Sequence, residues 1–532
     1  MDADVLIVGA GPTGLMLANQ LARRGLRVEI VDRHSGPAQQ SRALGVQART
    51  LEIYAQLGIV ERALALGKKG IGATLWAQGR RMAHVPLGDV GSTVTPYPYV
   101  LVLGQDDNEL IMGERLKGLG VDVQWNTELV DFVQHAGHVS ATLKQADGAS
   151  RTVTASYIAG CDGAHSAVRK LSGIGFPGAP YEHVFFVADV EMTGTMVPEQ
   201  INVYLWREGF HLLFPMRGVD HWRIVGIVPP ELRGQDDLDL DAIMPSLREE
   251  AGANLSIRSC SWFSAYRIHH RAADRFRERR AFILGDAAHI HSPVGAQGMN
   301  TGLQDAYNLA WKLALVVAGK AGPDLLDSYS EERLPVAERL LETTDRAFRL
   351  VVSDSWLAGL MRTRVIARVA AFAMSIERVR KFGFRTISQT GINYRRSALS
   401  RALDALPFEA PQCGDRFPWM HLKLRPGGPV EDTFGAFEDL CFNLVVFGQS
   451  APAGLGFGDT VKSWTVASDP HNDAELARVG IPQPSFYLIR PDGHVGLCGR
   501  IADAAAIRRY LAERIGLVEN QLIDRLSGSL PH

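Results

Sequence analysis

Cysteine is scarce in this chain, long apolar runs are missing and net charge is almost nil, and each shortage removes a class of protein. Its five cysteines, Cys161, Cys260, Cys413, Cys441 and Cys498, stand far apart with no C-x-x-C pair. Neither a disulfide framework nor a metal site is therefore expected, and a reducing cytoplasm is the expected location. No apolar run reaches the roughly eighteen residues of a membrane helix, and Asp2 and Asp4 stand where a signal peptide carries basic residues, so neither feature is expected. Lys plus Arg number 56 against 58 for Asp plus Glu, a net charge of -2. No global field then recruits nucleic acid or an anionic membrane. At 532 residues, 46% apolar, the chain is too long for one core and should fold as an enzyme-sized protein of roughly two to four domains.

What is present starts at once. Val5-Leu6-Ile7-Val8 reads as a buried strand, Gly9-Ala10-Gly11-Pro12-Thr13-Gly14 as a turn, and the next residues to Arg24 as a helix. Gly9 serves the tight turn, Gly11 the approach of a pyrophosphate to the backbone, and Gly14 the close packing of helix on strand. Pro12 and Thr13 lie in the same loop, at a helix N terminus that favours phosphate. A second strand, Arg27 to Val31, ends at Asp32, eighteen residues past Gly14, where a carboxylate suits a ribose hydroxyl; Arg33 follows it. Gly173-Ile174-Gly175-Phe176-Pro177-Gly178 has the same spacing but follows a helix-like stretch, and Pro177 lacks an N–H, so it reads as a turn.

Further on, Ser41 to Tyr54 turns into a helix carrying Arg42 and Arg49; a solvated surface position competes for both, more so for Arg49. Gln105 sits where a loop meets a helix start, and the strand Thr152 to Ala159 runs into Cys161-Asp162-Gly163. Residues 181 to 270 change to period-two runs broken by Gly and Pro, the pattern of an antiparallel sheet and a natural substrate wall. On it Tyr204, Trp206 and His211 alternate with apolar neighbours; Tyr204 and His211 are candidates to face the ligand and act on substrate, with Arg223 and His270 nearby in sequence. Ala281 to Leu284 ends in Gly285-Asp286, followed by a loop from His291 to Asn300 and a long helix; His289 or His291 can hydrogen-bond within that loop. Arginine-rich helical stretches follow to about Ser400, including Arg362, Arg364, Arg368, Arg378 and Arg380, and are expected to pack on the body. Beyond a Pro- and Gly-rich break, strands at Phe442–Phe447, Ser463–Ser468, Ser485–Ile489 and His494–Cys498 lead to a helix at Ala504–Arg514.

Four segments taken together, GAGPTG, Ser41-Arg42, CDGAHSAVR and GDAAHIHSPVGAQGMNTGLQDAYNLAWKLA, resemble the flavin-dependent aromatic hydroxylases of the para-hydroxybenzoate hydroxylase and phenol hydroxylase type, over about residues 1 to 350. The resemblance implies that Gly9, Gly11, Gly14 and Asp32 bind the adenosine half of FAD. It further implies that Arg42 and Gln105 contact the flavin nucleotide, that Asp162 and Gly163 serve FAD and the passing reductant, and that Asp286 binds the ribityl chain. Pro293 would set its carbonyl near the reacting edge of the flavin, with a plain rigid turn as the competing reading; Arg42 joins it among the catalytic candidates. The backbone at Gly298, Met299 and Asn300, a helix start with open N–H groups, suits the negative charge of reduced flavin.

The implied reaction is hydroxylation of a phenolic substrate with NADPH or NADH and O2 through a flavin C4a-hydroperoxide. With one convincing dinucleotide loop, the nicotinamide binds transiently. The alternative is a flavoprotein that sequesters a ligand, or another flavin oxidoreductase, on the same scaffold. A halogenase is disfavoured because no W-x-W-x-I-P segment is present.

The expected fold class is α/β. A Rossmann-like FAD-binding domain (1–180 and 270–345, with 71–100 contributing to the substrate region) carries an inserted mixed or antiparallel β-sheet substrate domain (181–269). A helical connection (346–400) leads to a thioredoxin-like C-terminal α/β domain (401–532), in which Pro484 precedes a strand where that fold keeps a cis proline. With no C-x-x-C there, scaffolding or oligomerisation is the expected role, and a homodimer the expected assembly.

Overall fold

The computed structural model describes residues 1–38, 43–86, 88–206, 209–235, 237–250, 254–291, 297–352 and 376–519. Arg42 and Pro293, and with them Arg362, Arg364 and Arg368, lie outside the described residues.

The apolar run at the N terminus forms a central strand. Ala3–Val8 lies between Val28–Val31 and Ser150–Gly160, parallel to both, and Ser150–Gly160 is in turn parallel to Ala281–Ile283. Val5, Leu6 and Ile7 are fully buried, as a parallel strand covered on both faces must be. The helices Pro12–Ala22 and Gly298–Val317 bury Leu15, Met16, Leu17, Leu303 and Leu309 in the same core, each such side chain contributing about 1.5–3 kcal/mol. The glycine spacing acts as the sequence predicts. A Cβ on Gly14 would stand 1.9 Å from the Gly9 carbonyl oxygen, so the helix touches the turn only because Gly14 lacks a side chain, while Gly9, at φ +101°, leaves room for the Cys161 carbonyl.

The second large sheet runs His289–Ile290, Leu255–Ala272, Gly178–Gly194, His221–Ile227, Gly209–Pro215, Gln200–Trp206, Gly72–Ala77 and Arg80–Pro86. All its pairings are antiparallel except Gln200–Trp206 with Gly72–Ala77. One face meets the first sheet across a cavity, and the other is closed by Leu240, Ile243, Met244 and Leu247. Strand parity therefore decides what each side chain sees. Of the second glycine match, Gly173 lies in the turn after the helix Ala167–Leu171 and Gly178 opens the strand Gly178–Gly194, both at positive φ.

The C-terminal sheet has the order Arg401–Ala402, Val495–Gly499, Ser485–Ile489, Phe442–Phe447, Val461–Val466, with the Gln483–Pro484 peptide cis. A helix at Pro470–Val479, capped by Asp469, lies between strands and is absent from the sequence expectation. The sheet's apolar face packs Phe442, Leu444, Ile507 and Tyr510 around Trp311 of the long helix. Around this contact sit buried ion pairs. The surface position that competes for Arg49 is ruled out: the residue is 6% exposed, pairs with Glu52 (2.9 Å) and donates to the Asp492 carbonyl (2.7 Å), while Arg416 also binds Glu52. The correction follows from packing: the C-terminal region covers the helix face that its sequence alone leaves open. Arg378 is exposed on the helix Glu377–Ile387. No helix among the described residues is long and apolar enough to cross a membrane.

Candidate functional site

A cavity of about 1760 Å³ opens between the first two sheets, well above the roughly 300–1,000 Å³ that holds one small ligand. One wall is mostly main chain. Gly9 to Thr13 line it from the first turn, Cys161 to Gly163 from the end of Ser150–Gly160, Gly285 and Asp286 from the turn after Ala281–Ile283, and Gly298 and Met299 from the long helix. Three parallel strands thus deliver their C-terminal ends to one place, where doubly wound sheets bind ligands.

Gly11 faces open space, for a Cβ built there meets nothing within 4 Å. Pro12 takes the first turn of the helix, and Thr13 fills the space that Gly285 and Gly302 leave for it. Asp32 closes the loop from the side: the Ala10 N–H donates to Oδ2 (2.7 Å) and the His34 N–H to Oδ1 (2.8 Å). A carboxylate has about four lone-pair sites, so acceptor capacity remains for a ribose. Arg33 also lines the cavity and is exposed. Gln105, the first residue of its helix, donates to Glu109 Oε1 (2.9 Å), and Glu109 Oε2 accepts from the Ala38 N–H (2.7 Å). Sequence reading passed over Glu109, although its i,i+4 spacing from Gln105 was a usable signal; burial pushes its carboxyl up.

Asp162 ties its own turn, with Oδ2 accepting from the Ala167 N–H (2.6 Å), while Oδ1 is buried without a hydrogen-bond partner among the described residues. Burial raises its pKa against the pull of those backbone donors. Asp286 receives no hydrogen bond from the described residues. Its carboxyl stands open to the cavity yet deep within the fold, and that depth raises its pKa against the opposing influence of His289. Behind it, Asp305 Oδ2 accepts from the Gly285 N–H (3.1 Å) and meets His289 Nε2 at 2.7 Å. The expectation of a hydrogen bond within the loop is therefore corrected for His289, whose partner lies on the long helix Gly298–Val317.

Among the described residues, no side chain caps the N terminus of Gly298–Val317. A twenty-residue helix with an open first turn facing a cavity is a seat for negative charge. The Asn300 side chain does not share it: fully buried, it accepts from the Gln47 N–H (2.9 Å) and Thr50 Oγ1 (2.7 Å) and donates to the Gly45 carbonyl (2.7 Å). Asn300 thus braces the helix start, leaving its backbone as the relevant part.

The opposite wall is apolar side chain: Phe210, Leu212, Phe214 and Val225, joined by Tyr266, Arg267 and His269. Tyr204 and His211 are on the wrong face. Tyr204 is 1% exposed, stacks on Trp76 at 5.6 Å and donates to the Thr195 carbonyl. His211 is fully buried, stacks on Trp206 at 5.5 Å and has Ser246 Oγ at 3.4 Å from Nε2; burial lowers its pKa to about 3. Neither lines the cavity, so the expectation that they act on substrate is corrected. Both faces of these strands are apolar because both are covered, and alternation alone then fails to say which one meets the ligand. Arg223 is likewise engaged, with Asp189 at 2.5 Å.

An open glycine, an orphaned carboxylate oxygen, an uncapped helix start and a volume too large for one small ligand together fit a dinucleotide lying along the main-chain wall, with substrate against the apolar wall. Comparison with known proteins agrees. The FAD binding domain family matches residues 2–344. The 6-methylpretetramide 4-monooxygenase of Streptomyces rimosus is 34% identical over 514 residues, covering 93% of this chain and 90% of the relative. The pentachlorophenol 4-monooxygenase of Sphingobium chlorophenolicum is 30% identical over 430 residues, covering 80% and 77%. A solved ternary complex of aklavinone-11 hydroxylase with FAD and aklavinone, 25% identical, superposes with a TM-score of 0.79 over 97% of this chain and 99% of that one.

Proposed function

Because the chain belongs to the FAD binding domain family and its relatives are monooxygenases, we propose that this FAD-dependent enzyme hydroxylates a large, multi-ring phenolic substrate with NADPH or NADH and O2. The observation that carries the substrate class is the apolar far wall of Phe210, Leu212, Phe214 and Val225, in a cavity of about 1760 Å³ that substrate shares with the cofactor. The relatives named for 6-methylpretetramide and aklavinone support it. A single-ring phenol is the second reading, favoured by the pentachlorophenol relative.

When bound, FAD supplies electron transfer from the reduced nicotinamide and the activation of oxygen. The protein does the rest. Gly11 admits the pyrophosphate and Asp32 orients the ribose. Asp286 and the free oxygen of Asp162 offer acceptors to polar hydrogens along the cofactor. The helix start at Gly298 and Met299 holds negative charge where it develops. Phe210, Leu212 and Phe214 exclude water and lay an aromatic plane against that edge. Arg42 and Pro293 keep the roles that the resemblance implies. The proposed setting is the cytoplasm, and the proposed assembly a homodimer, which light scattering in solution tests.

A panel of phenols from one ring to four, added to the purified holoenzyme, tests the reading. Multi-ring members are expected to accelerate flavin reduction by NADPH or NADH most strongly and to yield a product carrying one added oxygen by mass spectrometry. Tight binding of every phenol with no oxygenated product would instead support a sequestering flavoprotein.

A further inference from the structure

The turn bearing Asp286 is held from behind by a chain of buried groups that ends in the C-terminal region. Asp305, which accepts from the Gly285 N–H, also accepts from Arg333 Nε at 2.6 Å. Arg333 then donates through Nη2 to the Thr301 carbonyl (3.1 Å), one turn into the long helix, and through Nη1 to Tyr394 Oη (3.0 Å). Tyr394 belongs to the strap leading into the C-terminal sheet: its N–H donates to the Gly414 carbonyl (2.8 Å) and its ring lies 4.3 Å from that of His494. Arg490 sits 5.3 Å from the same ring and forks onto Glu332 at 2.6 and 2.9 Å, next in sequence to Arg333. Asp305 and Arg333 are fully buried, Arg490 is 1% exposed and Glu332 3%.

A buried charge deprived of its partner is strongly destabilising, so these links move together or not at all. Burial alone would raise the Asp305 carboxyl, but Arg333 and His289 outweigh it and hold Asp305 ionised, an acceptor for the Gly285 N–H at any working pH. The chain is not what docks the C-terminal sheet, because the apolar cluster around Trp311, Phe442, Ile507 and Tyr510 does that independently. Its distinctive end is the main chain beside Asp286, on the cavity wall.

We propose that Arg333 and Tyr394 are positioning residues for the cofactor, fixing the Gly285–Asp286 turn from outside the cavity so that FAD affinity depends on the seating of the C-terminal region. The inference rests on FAD occupying the cavity beside Asp286. By linkage, FAD must tighten the C-terminal end of the chain as much as that end tightens FAD.

Full-length apoprotein of wild type, Tyr394→Phe and Tyr510→Phe is titrated with FAD by flavin fluorescence and visible absorption. Tyr510→Phe is the matched control: its ring stays in the docking cluster, and its hydroxyl donates to the Leu399 carbonyl (2.7 Å) rather than to any member of the chain. Losing one hydrogen bond to a charged group should weaken FAD binding about tenfold in Tyr394→Phe and shift the bound flavin spectrum, with the control unchanged. Hydrogen exchange supplies a test that needs no variant: FAD should slow exchange at residues 490–494 of the wild type. The proposal is overturned if Tyr394→Phe binds FAD with wild-type affinity and spectrum, if both tyrosine variants weaken it equally, or if FAD leaves exchange at 490–494 unaltered. Failure of the wild type to bind FAD at all would strike the cofactor assignment itself, an outcome separate from these.

Discussion

The two walls of the cavity are built on different principles. On the wall proposed for the cofactor the lining is mostly main chain, aimed by glycine turns, and three of these turns are braced by aspartates: Asp32 under Ala10, Asp162 under Ala167, Asp305 under Gly285. On the substrate side they are side chains of a covered sheet, Phe210, Leu212 and Phe214, with Tyr266 beside them. A backbone-made wall tolerates almost no change at its glycines because no rotamer can yield. A side-chain wall can be reshaped one residue at a time without disturbing the fold, as suits an enzyme whose relatives carry such different substrate names.

The sharpest way to break this contrast lies within the first turn. At Gly14 a Cβ would fall 1.9 Å from a carbonyl oxygen, whereas at Gly11 it would meet nothing. Gly14→Val is therefore expected to lose more than about 4 kcal/mol, the range of exceptional core damage, and to fail in thermal unfolding before any question of cofactor arises. Gly11→Val should fold with a near wild-type melting temperature and purify colourless, its side chain standing where the pyrophosphate must pass. A yellow Gly11→Val protein with full flavin content would remove the cofactor from this wall. Next in size, Asp286→Ala should weaken FAD binding by about tenfold, the worth of one charge-assisted hydrogen bond. The apoprotein should be no less stable, since no described residue bonds this carboxyl; unchanged flavin retention on gel filtration would refute the assignment.

The same contrast explains what the sequence made legible. Gly9, Gly11, Gly14 and Asp32 could be placed because spacing along the chain dictates backbone geometry directly. The strands at Ala3–Val8 and Ala281–Ile283 could be placed because their buried runs are nearly all apolar. Tyr204 and His211 went astray because a strand covered on both faces carries no polarity contrast, and a one-residue change of parity moves every side chain to the other side. Arg49 shows a related limit: besides Glu52 its guanidinium donates to the Asp492 carbonyl, and the second cation on Glu52 is Arg416, both hundreds of positions away. Glu109, by contrast, was within reach of local reasoning, four residues after Gln105 on a helix.

Substrate-side predictions should leave the cofactor alone. Leu212→Trp adds bulk to the apolar wall and is expected to raise KM for a multi-ring phenol about tenfold, in line with the roughly 1–3 kcal/mol of overpacking. A single-ring phenol should be affected less, and the dissociation constant of FAD should not change. Equal losses for both phenols, or loss of flavin, would mean that this strand does not face substrate.

The smallest effect separates the two faces of that strand. His211 is buried against Trp206 with its pKa lowered from 6.5 to about 3 by desolvation, so the folded protein keeps it neutral while the unfolded chain takes up a proton near pH 6.5. Below that pH the unfolded state gains protons that the folded state refuses, and stability falls as the solution is acidified toward pH 3. Between pH 8 and pH 5 this one group should remove about 2 kcal/mol, 1.5 pH units at about 1.4 kcal/mol each. His211→Leu should flatten that part of the urea-unfolding profile while leaving FAD affinity and turnover intact. A pH slope that persists undiminished in the variant would mean that His211 does not carry it; if turnover collapses with the fold unharmed, His211 belongs to the chemistry after all and the face assignment of the sheet is reversed.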